Sequence, residues 1–210
     1  MSTKNTLAYQ LILSQLLTGE YAFGDPISVR ELSEKSGISR QPIMTALYRL
    51  QEQGFVDITA QVGCKVVNPS ANEIQDFYEM FAAIEGVLAK LATLRATPEK
   101  LQTLKTIHHQ IAALDSSSPD IQHQYRLLNI SFHKALHDLA DSPLVSRQQQ
   151  ANFDLSDFYL LQTHSFKHNM QFVNDDHLAI IHAIETQNAD LAAQLAQAHI
   201  LAVAAAIKNQ

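Results

Sequence analysis

Asn129 and His133 stand four residues apart, so on a helix they lie within roughly 40° of each other and can hold one ion between them. His137 is four residues further on and is a rival ligand by the same spacing. His177 shares a helix face with Ile181 and Ile184, and His199 shares one with Leu195 and Ala202, so both are expected to point inward among apolar neighbours. His182, five residues beyond His177, lies roughly 140° round the helix and should face elsewhere. Taken singly, each of these is a hydrogen-bonded core or surface histidine. As a set of inward-facing imidazoles in one helical bundle, they can satisfy one another through a shared metal ion. His108, His109, His123, His164 and His168 have no paired spacing and are read as solvated.

A second group of polar side chains is offered by residues 30–56, which read as two short helices across a tight turn followed by a strand. Ser28 can cap the first helix, with Glu31 three residues on, and Gly37 sits where a left-handed residue ends it. Ser39 can cap the second helix, and Pro42 is tolerated because first-turn amides have no intrahelical partner. Ile43, Ala46, Leu47 and Leu50 fall on one buried face. That leaves Arg40, Gln41, Met44, Thr45, Tyr48 and Arg49 outside, on a face that can enter a DNA major groove. Residues 55–59 alternate apolar and polar, Gln61-Val62-Gly63 can turn, and residues 64–67 return as a second strand. A β-hairpin behind a helix-turn-helix is a wing.

The elements that must hold these groups can be read along the 210 residues. Leu7, Leu11, Leu13, Leu16 and Leu17 suggest an amphipathic first helix ending near Gly19, and Gly24-Asp25-Pro26 marks a loop. Asn68-Pro69-Ser70 is a short boundary. Beyond it Asn72 can cap a long helix with Ile74, Phe77, Phe81, Ile84, Leu88 and Leu91 in steps of three and four. Thr97-Pro98 opens another, carrying Leu101, Leu104, Ile111 and Leu114, and residues 115–119 form a polar surface loop. Tyr125, Leu128, Phe132, Leu136 and Leu139 define the next. Asp141-Ser142-Pro143 breaks it and opens a helix towards Leu161, and two more cover roughly 174–187 and 190–208. No strand pattern follows Val67. The expected fold is therefore mainly α: a winged helix-turn-helix domain at 1–68 and an all-helical bundle of about six helices at 69–210.

Charge divides along the same boundary. The net charge is −6, yet residues 1–68 hold six basic and six acidic side chains, and all ten histidines lie between His108 and His199. The acidity belongs to the second part, so the first is not barred from DNA. Cys64 is the single cysteine; it cannot form an internal disulfide and is read as a small strand residue. No apolar run of membrane-spanning length and no leader at Met1 are evident, so a cytoplasmic protein with no membrane partner is expected.

With both regions in view, the chain resembles the GntR family of bacterial transcription regulators, in the FadR-like branch whose C-terminal half is an FCD ligand-binding domain. In the first domain the resemblance is carried by Val29-Arg30-Glu31-Leu32-Ser33-Glu34, Gly37-Ile38-Ser39-Arg40-Gln41-Pro42-Ile43, Ala46-Leu47, Leu50, Gly54-Phe55-Val56 and the wing glycine Gly63. In the second it rests on Ile84-Glu85-Gly86, Asn129-Ile130-Ser131-Phe132-His133, His177 with Ala183-Ile184, and Ala198-His199.

The resemblance implies a homodimer that binds double-stranded operator DNA through Arg30, Ser39, Arg40, Gln41, Thr45 and Arg49, with Gly63 and Lys65 in the wing. It also implies a divalent metal on Asn129, His133, His177 and His199, preferring His133 to His137. Asn129 stands where the family usually has Asp, which gives a neutral oxygen ligand. Three imidazoles suit zinc or nickel, and an open position suits a small carboxylate effector. Met44 replaces an arginine common in the recognition helix, so the operator sequence should differ. Phe81 stands where relatives often have an arginine in the first bundle helix, so the effector is either less acidic or an organic acid bound by Arg126 or Arg147 instead.

The rival class is a metalloenzyme using the histidine set. No HExxH is present, no histidine has Glu three residues before it, and no carboxylate is placed near the set by spacing to act as a base. The expectation is a regulator and no enzyme.

Overall fold

The structure is a computed structural model that describes residues 3–115, 117–165 and 173–208, so His168 lies outside the described residues. The chain divides into two compact units. One contains the residues up to Ser70 together with Asp154–Thr163, and the other Ala71–Phe153 together with the residues from His164 onward.

In the first unit the order is α1 (Thr3–Leu17), β1 (Pro26–Ile27), α2 (Val29–Ser36), α3 (Arg40–Glu52), β2 (Val56–Thr59) and β3 (Gly63–Val66). Local signals set the helix-turn-helix. The Ser28 hydroxyl accepts from the Glu31 amide, and Gly37 ends α2 with φ +70°, a conformation that costs a residue without Cβ nothing. Ser39 stands at the α3 N-cap with extended backbone but makes no capping bond, contrary to expectation. Ile43, Ala46, Leu47 and Leu50 are buried as their spacing requires. On α1 the buried face is Ala8, Ile12 and Leu16, with Leu7 exposed, because a four-residue step fits the groove of α3 better than the leucine run.

The hairpin pairs Val56 with Val66 and Ile58 with Cys64. Pro26–Ile27 adds a third strand against β3, giving the order β1-β3-β2. That strand has no signal in the sequence, since two residues that begin on a turn proline carry no alternation. Phe158, from the segment that joins this unit, meets Phe23 and Phe55 with ring centroids 5.5 and 5.6 Å apart.

The second unit is built, among the described residues, from six helices: α4 (Ala71–Arg95), α5 (Pro98–Ala112), α6 (Ile121–Ala140), the start of α7 (Pro143–Gln162), α8 (Val173–Glu185) and α9 (Ala189–Lys208). Thr97 caps α5 by accepting from the Lys100 amide, with Pro98 in the first turn. Asn72 lies inside the first turn of α4 rather than capping it. The core gathers Leu88, Leu104, Phe132, Leu136, Ile180 and Ile184.

The α4 helix packs on both α9 and α6, so its buried surface is wider than the expected seam and takes in Tyr78, Glu85 and Gly86. A Cβ at Gly86 would come within 2.6 Å of the Gln197 Cγ, so the missing side chain lets α9 approach. By length and composition alone Ala189–Ile207 is apolar enough to cross a membrane, a test that a buried core helix also passes. Here Ala192, Ala196 and Ile200 on that helix are core residues.

Candidate functional site

On the first unit, α3 exposes Arg40, Gln41 and Tyr48 and half-exposes Met44, Thr45 and Arg49. Thr45 Oγ1 donates to the Gln41 carbonyl at 3.1 Å. The exposed Arg30 donates to Glu34 at 2.8 Å, one turn on, a surface pair of small energetic weight. Arg49 lies over the ring of Tyr9, 3.8 Å from its centroid, so its guanidinium also joins α1 to α3. In the hairpin Val62 is 83% exposed beside Gln61 and Gly63, and Lys65 pairs with Asp57 at 3.9 Å. Cys64 is buried, which together with Asp57 pushes its thiol up to about 11, so it carries no thiolate chemistry.

In the second unit, three histidines from three helices converge. His133 comes from α6, His177 from α8 and His199 from α9, and one nitrogen of each lies within 4.8 Å of the others. All three rings are buried. His133 and His199 stack at 5.4 Å between centroids, and His177 lies 4.9 Å from His199. His133 Nε2 and both nitrogens of His177 meet no hydrogen-bond partner, and the same holds for the buried Oδ1 of Asn129, one turn before His133 on α6. Buried polar atoms left unpaired are costly; one lone pair each of Asn129, His133 and His177 could be satisfied by a cation, while the other His177 nitrogen carries the ring proton.

Burial pulls the imidazole of His177 well below its ordinary value, with His199 and His133 acting in the same direction, and burial pulls His133 down as well. Both rings are thus neutral at neutral pH, the form that donates a lone pair to a metal.

Around this set stand groups that spacing did not reveal. Glu85 on α4 is fully buried and accepts from His133 Nδ1 at 2.8 Å, from His137 Nε2 at 3.0 Å and from the Gln149 amide at 2.9 Å. Burial works against its charge, but contacts with His137 and His133 prevail and hold the carboxyl well below the usual range. His199 Nδ1 faces Asp176 Oδ2 at 3.2 Å. Spacing places no carboxylate beside the set to act as a base; non-local helix packing brings Glu85 there instead. Its signal was a charge at the four-residue step between Phe81 and Leu88. His137 Nε2 is engaged by the other oxygen of Glu85, and His137 is not among the three converging histidines.

The remaining expectations divide. His182 is exposed, as are His109, His123 and His164. His108, expected in solvent, is buried, because it shares the α5 face of Leu104 and Ile111, and its ring lies 6.5 Å from that of His177. Arg126 is half-buried on α6, three residues before Asn129. Arg147 is exposed, donates to the Pro143 carbonyl, and lines a cleft of about 370 Å³ with Lys134, His137, Asp138, Ser146 and Gln150. None of the three converging histidines borders that cleft. Phe81 is buried against Phe153 at 4.8 Å and offers no charge.

Two family descriptions match the chain: "Bacterial regulatory proteins, gntR family" over residues 5–66 and "FCD domain" over residues 76–202. The chain is 22% identical over 192 residues to the uncharacterized HTH-type transcriptional regulator YdhC of Bacillus subtilis, covering 91% of this chain and 85% of that protein. To the HTH-type transcriptional repressor RspR of Escherichia coli it is 28% identical over 141 residues, 67% of this chain and 60% of that protein. Among solved structures, E. coli McbR/YncC shares the fold with a TM-score of 0.77 at 15% identity, covering 100% of this chain and 99% of that one. A GntR putative transcriptional regulator from Rhodococcus sp. RHA1 does so with a TM-score of 0.76 at 15% identity, over 99% of each chain.

Proposed function

Because the chain belongs to the gntR family of bacterial regulatory proteins and carries an FCD domain, and is thus a DNA-binding transcriptional regulator and not an enzyme, we propose that a divalent cation in the histidine set sets its operator affinity. The observation that supports this reading is the convergence of three buried histidines whose nitrogens lie within 4.8 Å, with unpaired lone pairs on His133 and His177. Asn129, His133, His177 and His199 would hold the ion. Three imidazoles and a neutral oxygen suit zinc or nickel. Bound there, the ion supplies a Lewis-acid position to which a small carboxylate effector can add.

In this reading α3 enters the major groove with Arg40, Gln41 and Thr45 towards base edges, while Arg30, Ser39 and Arg49 contact phosphates and Gly63 and Lys65 sit in the wing. Ser39 suits that role because its hydroxyl is not used in capping. The protein acts in the cytoplasm as a homodimer, each copy reading one half-site. Met80, Val87 and Leu94 favour the dimer: they are exposed and spaced seven apart along α4, as one side of a helix–helix interface requires. Arg126 is the effector-binding candidate on the helix of Asn129, and Arg147 serves an effector only if it extends to the cleft beside His137.

Binding to promoter DNA across a salt series tests the regulator's mode. Affinity should fall steeply as salt rises, and an affinity unchanged between low and moderate salt would sink the proposed phosphate contacts.

A further inference from the structure

We infer that Glu85 is a positioning residue of the cation centre: it locks His133 in the tautomer that presents Nε2 to the ion, and it supplies from outside the ligand set the negative charge that Asn129 lacks. This rests on the cation reading above. A neutral imidazole carries one proton. His133 gives its Nδ1–H to Glu85 Oε1 at 2.8 Å, so Nε2 must hold the lone pair, and Nε2 is the atom left buried without a partner. Glu85 is itself fixed. Its second oxygen accepts from His137 and from Gln149, whose amide also donates to the Phe81 carbonyl at 3.1 Å and accepts from Asn152 at 2.9 Å.

Charge completes the argument. Among the described residues, the groups that act on Glu85 are histidines and an amide, with no lysine or arginine. A carboxylate fully buried among histidines and an amide has no permanent counter-charge, and a divalent ion on the far side of His133 provides one. Asp176 stands in the same relation to His199, though its side chain is 39% exposed and its charge is screened. Two outer carboxylates thus balance an ion whose direct ligands are all neutral. In that arrangement the change from Asp to Asn in the ligand set does not remove the site.

Two readouts test this. In metal-free wild-type protein at pH 7.5, long-range proton–nitrogen NMR should show His133 as the neutral Nδ1–H tautomer. An imidazolium or an Nε2–H tautomer overturns the proposal. Zinc affinity, measured by competition with a chromophoric chelator, should fall about 10–100-fold in Glu85→Gln and by less in Asp176→Asn. Wild type that binds zinc while Glu85→Gln binds it equally overturns this proposal alone, whereas wild type that takes up no zinc overturns the cation reading with it. If thermal melts show Glu85→Gln unfolded, the wild-type tautomer decides.

Discussion

The ring of His177 lies parallel to that of Phe132, with centroids 3.7 Å apart and planes 11° apart. Phe132 is fully buried one residue before His133, so a single turn of α6 supplies both one proposed ligand and the platform under another. Phe132→Ala should cost about 3–5 kcal/mol of stability, as for other buried aromatics. It should also loosen zinc binding, since a freed His177 ring must be reordered on binding. Urea unfolding and chelator competition check the two effects, and a stable variant with wild-type affinity would show the platform to be dispensable.

On the DNA side, Arg40 and Lys35 are both exposed basic residues of the first unit, but only Arg40 opens the recognition helix. Arg40→Ala should weaken promoter binding by about tenfold or more, the scale of one bidentate base contact, with little change in Lys35→Ala. Fluorescence anisotropy on both variants decides; equal losses would move the contact surface towards α2.

Arg49 is expected to show two effects at once. Its guanidinium over Tyr9 contributes about 0.5–1 kcal/mol to the α1–α3 contact, so Arg49→Ala should lower both the unfolding free energy and DNA affinity. Tyr9→Leu should reproduce the first loss while sparing most of the second. Matching losses of affinity in both variants would mean that Arg49 acts only through packing.

Acid should destabilise the metal-free protein in a defined window. The unfolded-state imidazole takes up a proton as pH falls through 6.5, whereas buried His177 stays neutral to well below that value. The unfolded state then binds more protons, so stability is fully present above 6.5 and is lost as pH drops towards the folded-state value. His133 acts in the same sense. The slope can reach about 1.4 kcal/mol per pH unit for each such histidine. Urea midpoints at pH 7.5 and 5.5 measure it, and His177→Gln should flatten the dependence.

The winged helix-turn-helix was legible because its signals are local: Ser28, Gly37 and the four buried residues of α3 each act within a turn or two. The short β1 strand was not, since Pro26 and Ile27 owe their pairing to β3, some forty residues away. The inward faces of His177 and His199 followed from helical periodicity, but spacing alone could not choose between His133 and His137. What distinguishes them is Glu85, on a fourth helix, which engages His137 Nε2 and His133 Nδ1 and leaves His133 Nε2 without a partner. His108 was readable from its place between Leu104 and Ile111 and was missed because it had no partner in sequence.

Zinc content bears most directly on the central claim. Protein incubated with zinc, freed of excess by gel filtration and assayed by mass spectrometry should carry one ion per chain. Folded His133→Ala and His177→Ala should carry almost none, and His137→Ala should keep most of it. Equal zinc in wild type and His133→Ala would contradict the site, as would a wild type that retains none.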